Sequence, residues 1–353
     1  MNSDTRTMRA WRNHEYGSPT DVMRLDEVPI PQPNAGELLV KVHAIPLNLN
    51  DYERVSGGNM FVRPELPAIP GMEVMGAVES AGEGAENWIG KRVVAITSGA
   101  NGGYAEYATC PTASAFEVPE SIPLPDAAAI YFPFHLAWLG MLERAKLKEN
   151  ETVLINGAAG SVGTAAIQLA VNMGARVIAI SGSDEKAALC KSLGAEVSIN
   201  HTKEDFVAVT REWTNNKGVD IVFDSVGESV LEQNLGLIAY DGRYVMMGFA
   251  SDKTVADEKF YVPRRLACSN ISLCAMMLFY ADEPSAAMAK EHMGWNFVPS
   301  AVGESINKQV IDLVAAGKLH AVIGRTAAFE ALPAELSAIV NRETLGRTVI
   351  TFN

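Results

Sequence analysis

The chain has 353 residues, 48% of them apolar and 20% charged, with a formal net charge of −13. That length allows two domains with sizeable cores, and the composition is that of an ordinary soluble globular protein. The acidic balance argues against nucleic acid as a main partner.

The opening Met1-Asn2-Ser3-Asp4-Thr5-Arg6 carries no apolar stretch of a secretory leader. The longest apolar run, from Ile271 to Ala281, is too short to span a bilayer, so no membrane insertion is expected. Cys110, Cys190, Cys268 and Cys274 form no C-x-x-C pair. A disulfide framework is therefore not expected, and a reducing cytoplasm is.

Up to about residue 130 the pattern is mostly β. Short apolar runs such as Leu38–Val42 and Arg92–Ile96 alternate with Gly- and Pro-rich turns. From 134 to 281 strands and helices alternate. Strands are predicted at Thr152–Ile155, Arg176–Ser181, Glu196–Ile199, Val219–Asp224, Arg243–Met247 and Ile271–Ala275. Helices are predicted at Ser161–Met173, Asp184–Leu193, Lys203–Trp213 and Ser229–Ala239. Such alternation implies a doubly wound parallel sheet. The tail from 282 holds helices and a last strand, Thr348–Thr351, which is expected to return to the first domain.

One stretch carries most information: Asn156-Gly157-Ala158-Ala159-Gly160-Ser161-Val162-Gly163. It follows an apolar strand and opens a helical pattern, the arrangement that receives a dinucleotide pyrophosphate. Gly160 allows close backbone approach to the phosphates, and Gly163 allows tight helix packing. The N–H groups of the helix start then face the anion. Ala158 stands where the usual first glycine of G-x-G-x-x-G would be, with Gly157 one step earlier. Residues Ala159, Gly160, Ser161, Val162 and Gly163 are the expected phosphate contacts.

Further ordered motifs accompany this turn. They are Asn48-Leu49-Asn50-Asp51, Pro70-Gly71-Met72-Glu73-Val74-Met75-Gly76, Gly103-Tyr104-Ala105-Glu106-Tyr107, Asp224-Ser225-Val226-Gly227 and Leu345-Gly346-Arg347-Thr348-Val349-Ile350. Together they make the chain resemble the zinc-independent quinone oxidoreductase branch of the medium-chain dehydrogenase/reductase superfamily. The resemblance covers nearly the whole chain. It implies an α/β protein with a GroES-like β domain (residues 1–133 and 282–353) and a Rossmann dinucleotide-binding domain (134–281). It also implies a cleft for nicotinamide and substrate.

Zinc-dependent relatives carry a Cys near Asn48–Asp51, a His after the glycine of G-H-E, and a lobe of four clustered Cys. Here Met72 replaces that His, no Cys precedes Cys110, and the four Cys are scattered. A catalytic zinc needs three good protein ligands, and a thioether is a poor one. No metal is expected.

The second strand of the dinucleotide domain ends in Ser181-Gly182-Ser183, without the acid that would take the ribose hydroxyls of NAD. Ser181 and Ser183 can donate to a 2′-phosphate, and Lys186 can reach back as a cation. In the family that lysine and a tyrosine hold the 2′-phosphate; His201 stands at the tyrosine's place. The expected cofactor is NADPH. Ser225, Val226, Gly248 and Phe249 follow strands at their C-terminal ends, where such sheets bind ligands. Arg342 lies in a segment that reaches the cofactor in relatives.

Without a metal, alcohol oxidation is disfavoured. The expected reaction is hydride transfer from NADPH to a quinone. Alternatives are reduction of an enone or enoyl compound, and NADPH binding without turnover. Asn48 and Asp51 match the family's N-x-x-D near the nicotinamide. Tyr52 and His135 are candidate proton donors, with Asp51 as an orienting group. The family often has Tyr two places after the Asp, where this chain has Glu53. If the segment is a strand, Tyr52 points away from that place. His135 lies among Tyr131, Phe132, Phe134 and Trp138, where a packed core histidine is an equal reading. The strand near Ile271–Ala275 is expected at a sheet edge, paired with a second copy in a homodimer.

Overall fold

The computed structural model describes residues 6–58, 63–247 and 263–352. The chain divides into two compact units. The first comprises 1–131, 279–311 and 323–353; the second comprises 132–278 and 312–322.

The first unit is built on a seven-stranded sheet. Its order is Ile323–Ala328, Arg347–Thr351, Glu37–Pro46, Glu73–Ala81, Arg92–Ile96 and Ala115–Glu117, with Tyr107–Pro111 also paired to Glu37–Pro46. The last strand enters beside residues from far upstream, with Ile350 opposite Ile45 and Val349 opposite Pro46. All pairs are antiparallel except that between Ile323–Ala328 and Arg347–Thr351. Leu38, Val40, Ile45, Val74, Tyr104 and Ile350 are buried together in its core. This is the GroES-like domain.

The second unit holds a six-stranded sheet, parallel throughout. Its spatial order is Val197–Asn200, Arg176–Ser181, Thr152–Asn156, Val219–Asp224, Ile238–Met246 and Ser272–Ala275. Counted along the chain this is 3-2-1-4-5-6, the order of the Rossmann fold. The order reverses between Thr152–Asn156 and Val219–Asp224, and sheets of this kind receive ligands at the C-terminal ends of the strands at that point. Leu154, Ile178, Ile199, Val222 and Tyr244 are buried among its core residues.

Most predicted strands of this sheet lie within a residue or two of their expected bounds. Three elements differ most. The helix expected at Ser229–Ala239 is a short turn, Glu228–Val230, followed by one helical turn, Leu231–Leu235. The next strand starts early, at Ile238, because Ile238 pairs with Val219 in the sheet. The segment after Asn48 is a helix, Leu49–Ser56, rather than a strand. Asn48 caps it: its N–H donates to Asp51 Oδ2 at 3.1 Å, which satisfies one donor at the helix start. Gly57, at φ +83°, ends it in the left-handed conformation that a glycine adopts without penalty.

Candidate functional site

In the second unit the glycine turn joins Thr152–Asn156 to the helix Ser161–Asn172. The turn is pinned to the neighbouring strand by a hydrogen bond from Ala158 N–H to Ile180 O at 3.0 Å. Gly157 has φ +67°, and a Cβ there would lie 2.5 Å from Ser225 Oγ. At Gly163 a Cβ would meet Gly157 O at 2.4 Å, so the helix packs against the turn at backbone distance. Gly160 differs: a Cβ there would meet only Gly157 O, at 3.4 Å. Gly160 is the N-cap and supplies no side-chain hydrogen bond to the helix start. Backbone N–H groups at a helix start point toward an anion placed there, and here that start is Ser161, Val162 and Gly163. Ala159 is buried within the turn.

The second strand ends at Ser181, which is buried and donates to Ile199 O at 3.4 Å. Ser181 thus ties two strand ends together. Ser183 caps the next helix, Asp184–Ser192, accepting the Lys186 N–H at 3.2 Å. A Cβ on Gly182 would lie 3.4 Å from His201 Nε2, so the exposed imidazole flanks the strand tip. Lys186 is half-buried in the first turn of the helix. Asp184 would oppose a phosphate if its charge were free. It is not: Asp184 Oδ1 accepts from Asn200 Nδ2 at 2.7 Å, and Oδ2 pairs with Lys203. Lys203, then Asn200, hold the Asp184 carboxyl below its ordinary range.

The turn Ser225–Gly227 follows the fourth strand. Asp224 accepts the Val226 N–H at 2.8 Å and the Gly227 N–H at 3.2 Å, and so shapes the loop. Ser225 donates to Asn156 O at 2.9 Å. The structuring role of Asp224 follows from geometry; in the sequence it ends a strand and opens the Asp224-Ser225-Val226-Gly227 motif. Gly248 and Phe249 lie outside the described residues.

In the first unit Asn48 and Asp51 sit in a buried charged network. Asp51 is fully buried. Its Oδ2 accepts from the Asn48 N–H at 3.1 Å and the Tyr104 hydroxyl at 3.0 Å. Its Oδ1 accepts from the Met72 N–H at 3.0 Å and from Arg54 at 3.4 Å. Burial raises the Asp51 carboxyl above its ordinary value, and Arg54, Tyr104 and the two backbone donors oppose the rise. Asn48 Nδ2 donates to Glu73 at 3.1 Å and to Pro46 O at 3.2 Å. Arg347 donates to Asn48 Oδ1 at 3.2 Å and pairs with Glu73. Two acids and two bases are thus buried together, each charge matched. The C-terminal strand supplies Arg347, which the sequence reading placed only within a motif.

Tyr52 is half-buried and packs against the core of the first unit. On a helix it lies one position beyond Asp51, so strand alternation does not govern its direction. His135 is fully buried in the helix Tyr131–Trp138. Tyr131 is core, packed edge-on to Phe116 at 5.1 Å between ring centroids. Arg342 is exposed, with φ +60°, just past the helix Leu332–Val340.

Two family models match the chain: "Alcohol dehydrogenase GroES-like domain" over residues 34–120 and "Zinc-binding dehydrogenase" over 161–290. The quinone oxidoreductase of Sus scrofa is 34% identical over 251 residues, spanning 70% of this chain and 75% of that protein. The chain belongs to the quinone oxidoreductase branch of the medium-chain dehydrogenase/reductase superfamily. It is an oxidoreductase of that superfamily. A 2-haloacrylate reductase from Burkholderia is 29% identical over 343 residues, covering 96% of this chain and 97% of that one. Among solved structures, mycobacterial Rv1454c complexed with NADPH has a TM-score of 0.83 at 27% identity. That match covers 98% of this chain and 99% of the mycobacterial chain.

The name of the second family model raises the question of zinc. The residues at the corresponding place do not fit it. Met72 offers a thioether, Glu73 is held by Arg347 and Asn48, and both Asp51 oxygens are engaged. Among the described residues no three His, Cys, Asp or Glu side chains are grouped to hold a metal. No helix of the described residues is long and apolar enough to cross a membrane.

Proposed function

We propose that this oxidoreductase uses NADPH and reduces a quinone without zinc. The carrying observation is the tip of the second strand. It presents Ser183, Lys186 and His201, and of the two acids in the first turn of the next helix Asp184 is already paired with Lys203 while Glu185 is exposed. An NAD site would set a free carboxylate there. The likeness to a mycobacterial protein solved with NADPH supports the same reading.

When bound, NADPH supplies the hydride. The N–H groups of Ser161, Val162 and Gly163 hold the pyrophosphate, and Gly160 and Ala159 let it approach the backbone. Ser183, Lys186 and His201 hold the 2′-phosphate, while Ser181 fixes the strand end that carries them. Ser225 and Val226 offer a turn at the C-terminal edge of the sheet for the nicotinamide half, with Gly248 and Phe249 assigned to the same half from sequence. Arg342 is assigned to the cofactor on the same ground.

Asn48 and Asp51 are positioning residues, since their polar atoms are consumed by the network around Glu73 and Arg347. His135, fully buried, acts through packing. Tyr52 is the proton donor: two-electron reduction of a quinone to the hydroquinone adds one hydride from NADPH and one proton, and water then returns a proton to the tyrosine. The chain works in the cytoplasm as a homodimer. The dimer is formed through the edge strand Ser272–Ala275, on which Leu273 is exposed. Light scattering at micromolar concentration that gives a monomer mass would contradict the dimer.

The second reading is reduction of a conjugated double bond. It is favoured by the full-length likeness to a 2-haloacrylate reductase. An acceptor panel decides: NADPH absorbance lost with quinones and retained with enones selects the first reading. The reverse selects the second.

A further inference from the structure

Beneath the two turns assigned to the cofactor lies a closed polar ring in an otherwise apolar core. Asn156, Asp224, Asn234 and Tyr244 form it, and none of their side chains is more than 1% exposed. Tyr244 donates its hydroxyl to Asp224 Oδ2 at 2.6 Å and accepts from Asn234 Nδ2 at 3.1 Å. Asn234 Oδ1 accepts from Asn156 Nδ2 at 3.1 Å. Asn156 O accepts the Ser225 hydroxyl at 2.9 Å, and Asp224 returns to the same turn through the Val226 and Gly227 N–H groups.

The links run from the end of Thr152–Asn156 through Asn234, on the helical turn Leu231–Leu235, and Tyr244, on Ile238–Met246, to the end of Val219–Asp224. Asn156 precedes Gly157, and Asp224 precedes Ser225; the two residues face each other in the sheet. A core position that needed only volume would be filled as well by Phe or Leu, without the cost of burying four polar groups. A fully satisfied ring instead holds its members in one arrangement. What this ring holds is the distance and orientation between the glycine turn and the Ser225–Gly227 turn.

We propose that Tyr244 is a positioning residue for NADPH: through Asp224 and Asn234 it sets the spacing of the two turns that grip the cofactor. The inference rests on the cofactor assignment above and adds to it a residue that touches no ligand. Tyr244→Phe keeps the ring in the core and removes both hydrogen bonds of the hydroxyl. The Ser225–Gly227 turn is then held at one side only.

The test is NADPH binding by fluorescence titration, with steady-state kinetics and thermal unfolding on the same preparations. Tyr244→Phe should raise the Kd and KM for NADPH about tenfold, with kcat at saturating NADPH within about threefold of the parent. Asn234→Ser cuts the ring at a second place and should move the same constants the same way. Leu235→Ala, on the same helical turn but outside the ring, should lower Tm and leave the NADPH Kd unchanged. A lower Tm in Tyr244→Phe with Kd within about twofold of the parent would overturn the inference and leave the ring a purely structural device. If Tyr244→Phe does not fold, an unchanged Kd in Asn234→Ser overturns it equally. Failure of the unaltered chain to bind NADPH would instead sink the cofactor assignment, and this inference with it.

Discussion

Two glycines in one turn should respond in opposite ways to the same small change. In Gly163→Ala the new methyl carbon would stand 2.4 Å from Gly157 O and 2.6 Å from the Ala158 backbone. That is about 1 Å inside ordinary contact, and the obstacles are backbone, which no rotamer change relieves. The helix Ser161–Asn172 must withdraw from the turn. Overpacking of this kind costs about 1–3 kcal/mol, or about 2–12 °C in Tm for a domain of this size. In Gly160→Ala the methyl meets one atom at 3.4 Å, and the backbone at φ −76°, ψ 174° suits any residue. The loss of unfolded-state freedom stabilises such a site by about 0.4–1 kcal/mol. The same methyl, however, stands where the pyrophosphate must approach the backbone. Gly160→Ala should therefore keep or raise Tm while NADPH affinity falls about tenfold or more. Gly163→Ala should lose both. Differential scanning fluorimetry and NADPH titration read the two quantities. The reasoning is refuted if Gly160→Ala binds NADPH as the parent does, or if Gly163→Ala keeps the parent Tm.

Three further outcomes follow from the two sites. Lys186→Ala should raise KM for NADPH about tenfold or more, the worth of one charge-assisted bond, and leave KM for NADH nearly unchanged; equal effects would remove Lys186 from the phosphate site. Lys203→Ala should also raise KM for NADPH at neutral pH, because Asp184 is then left unpaired beside the phosphate. In the parent, Asp184 lies below its ordinary 3.8, so the pair's stabilising effect is present above that value and is lost as pH falls through the lowered one. An NMR titration of Lys203→Ala should show Asp184 moving back up; an unmoved Asp184 would contradict the pairing. Arg347→Leu leaves the fully buried Glu73 charge uncompensated and should cost about 3–5 kcal/mol in unfolding free energy. A Tm within 2 °C of the parent, taken as about 1 kcal/mol or less, would show that the network carries little stability.

Much of the second unit was legible because its signals are local. Apolar runs such as Thr152–Ile155 and Val219–Asp224 have strand length and β-branched content, and the glycine turn marks the strand-to-helix passage in eight consecutive residues. The helix Leu49–Ser56 carries a local signal as well. Asn48 and Asp51 stand at the N-cap and N3 spacing of a capping box. The network around Asp51 was out of reach. Its partners, Tyr104 and Arg347, come from 53 and, through Glu73, 274 positions away along the chain. The ring around Tyr244 joins positions separated by 10 to 78 residues. No periodicity encodes such pairs; the tertiary fold of each unit brings them together. Ser181 shows the converse limit. Its place at the strand tip was read correctly, but its burial and its bond to Ile199 O depend on the neighbouring strand.

The central claim is that this oxidoreductase takes its hydride from NADPH and needs no zinc. The direct measurement is kcat/KM for NADPH and for NADH with one fixed quinone, on protein dialysed against a chelator. The account predicts full activity after chelation and a preference for NADPH of about tenfold or more, the value of one charge-assisted contact to the 2′-phosphate. Equal or better use of NADH, or activity lost on chelation and restored by added zinc, would contradict it.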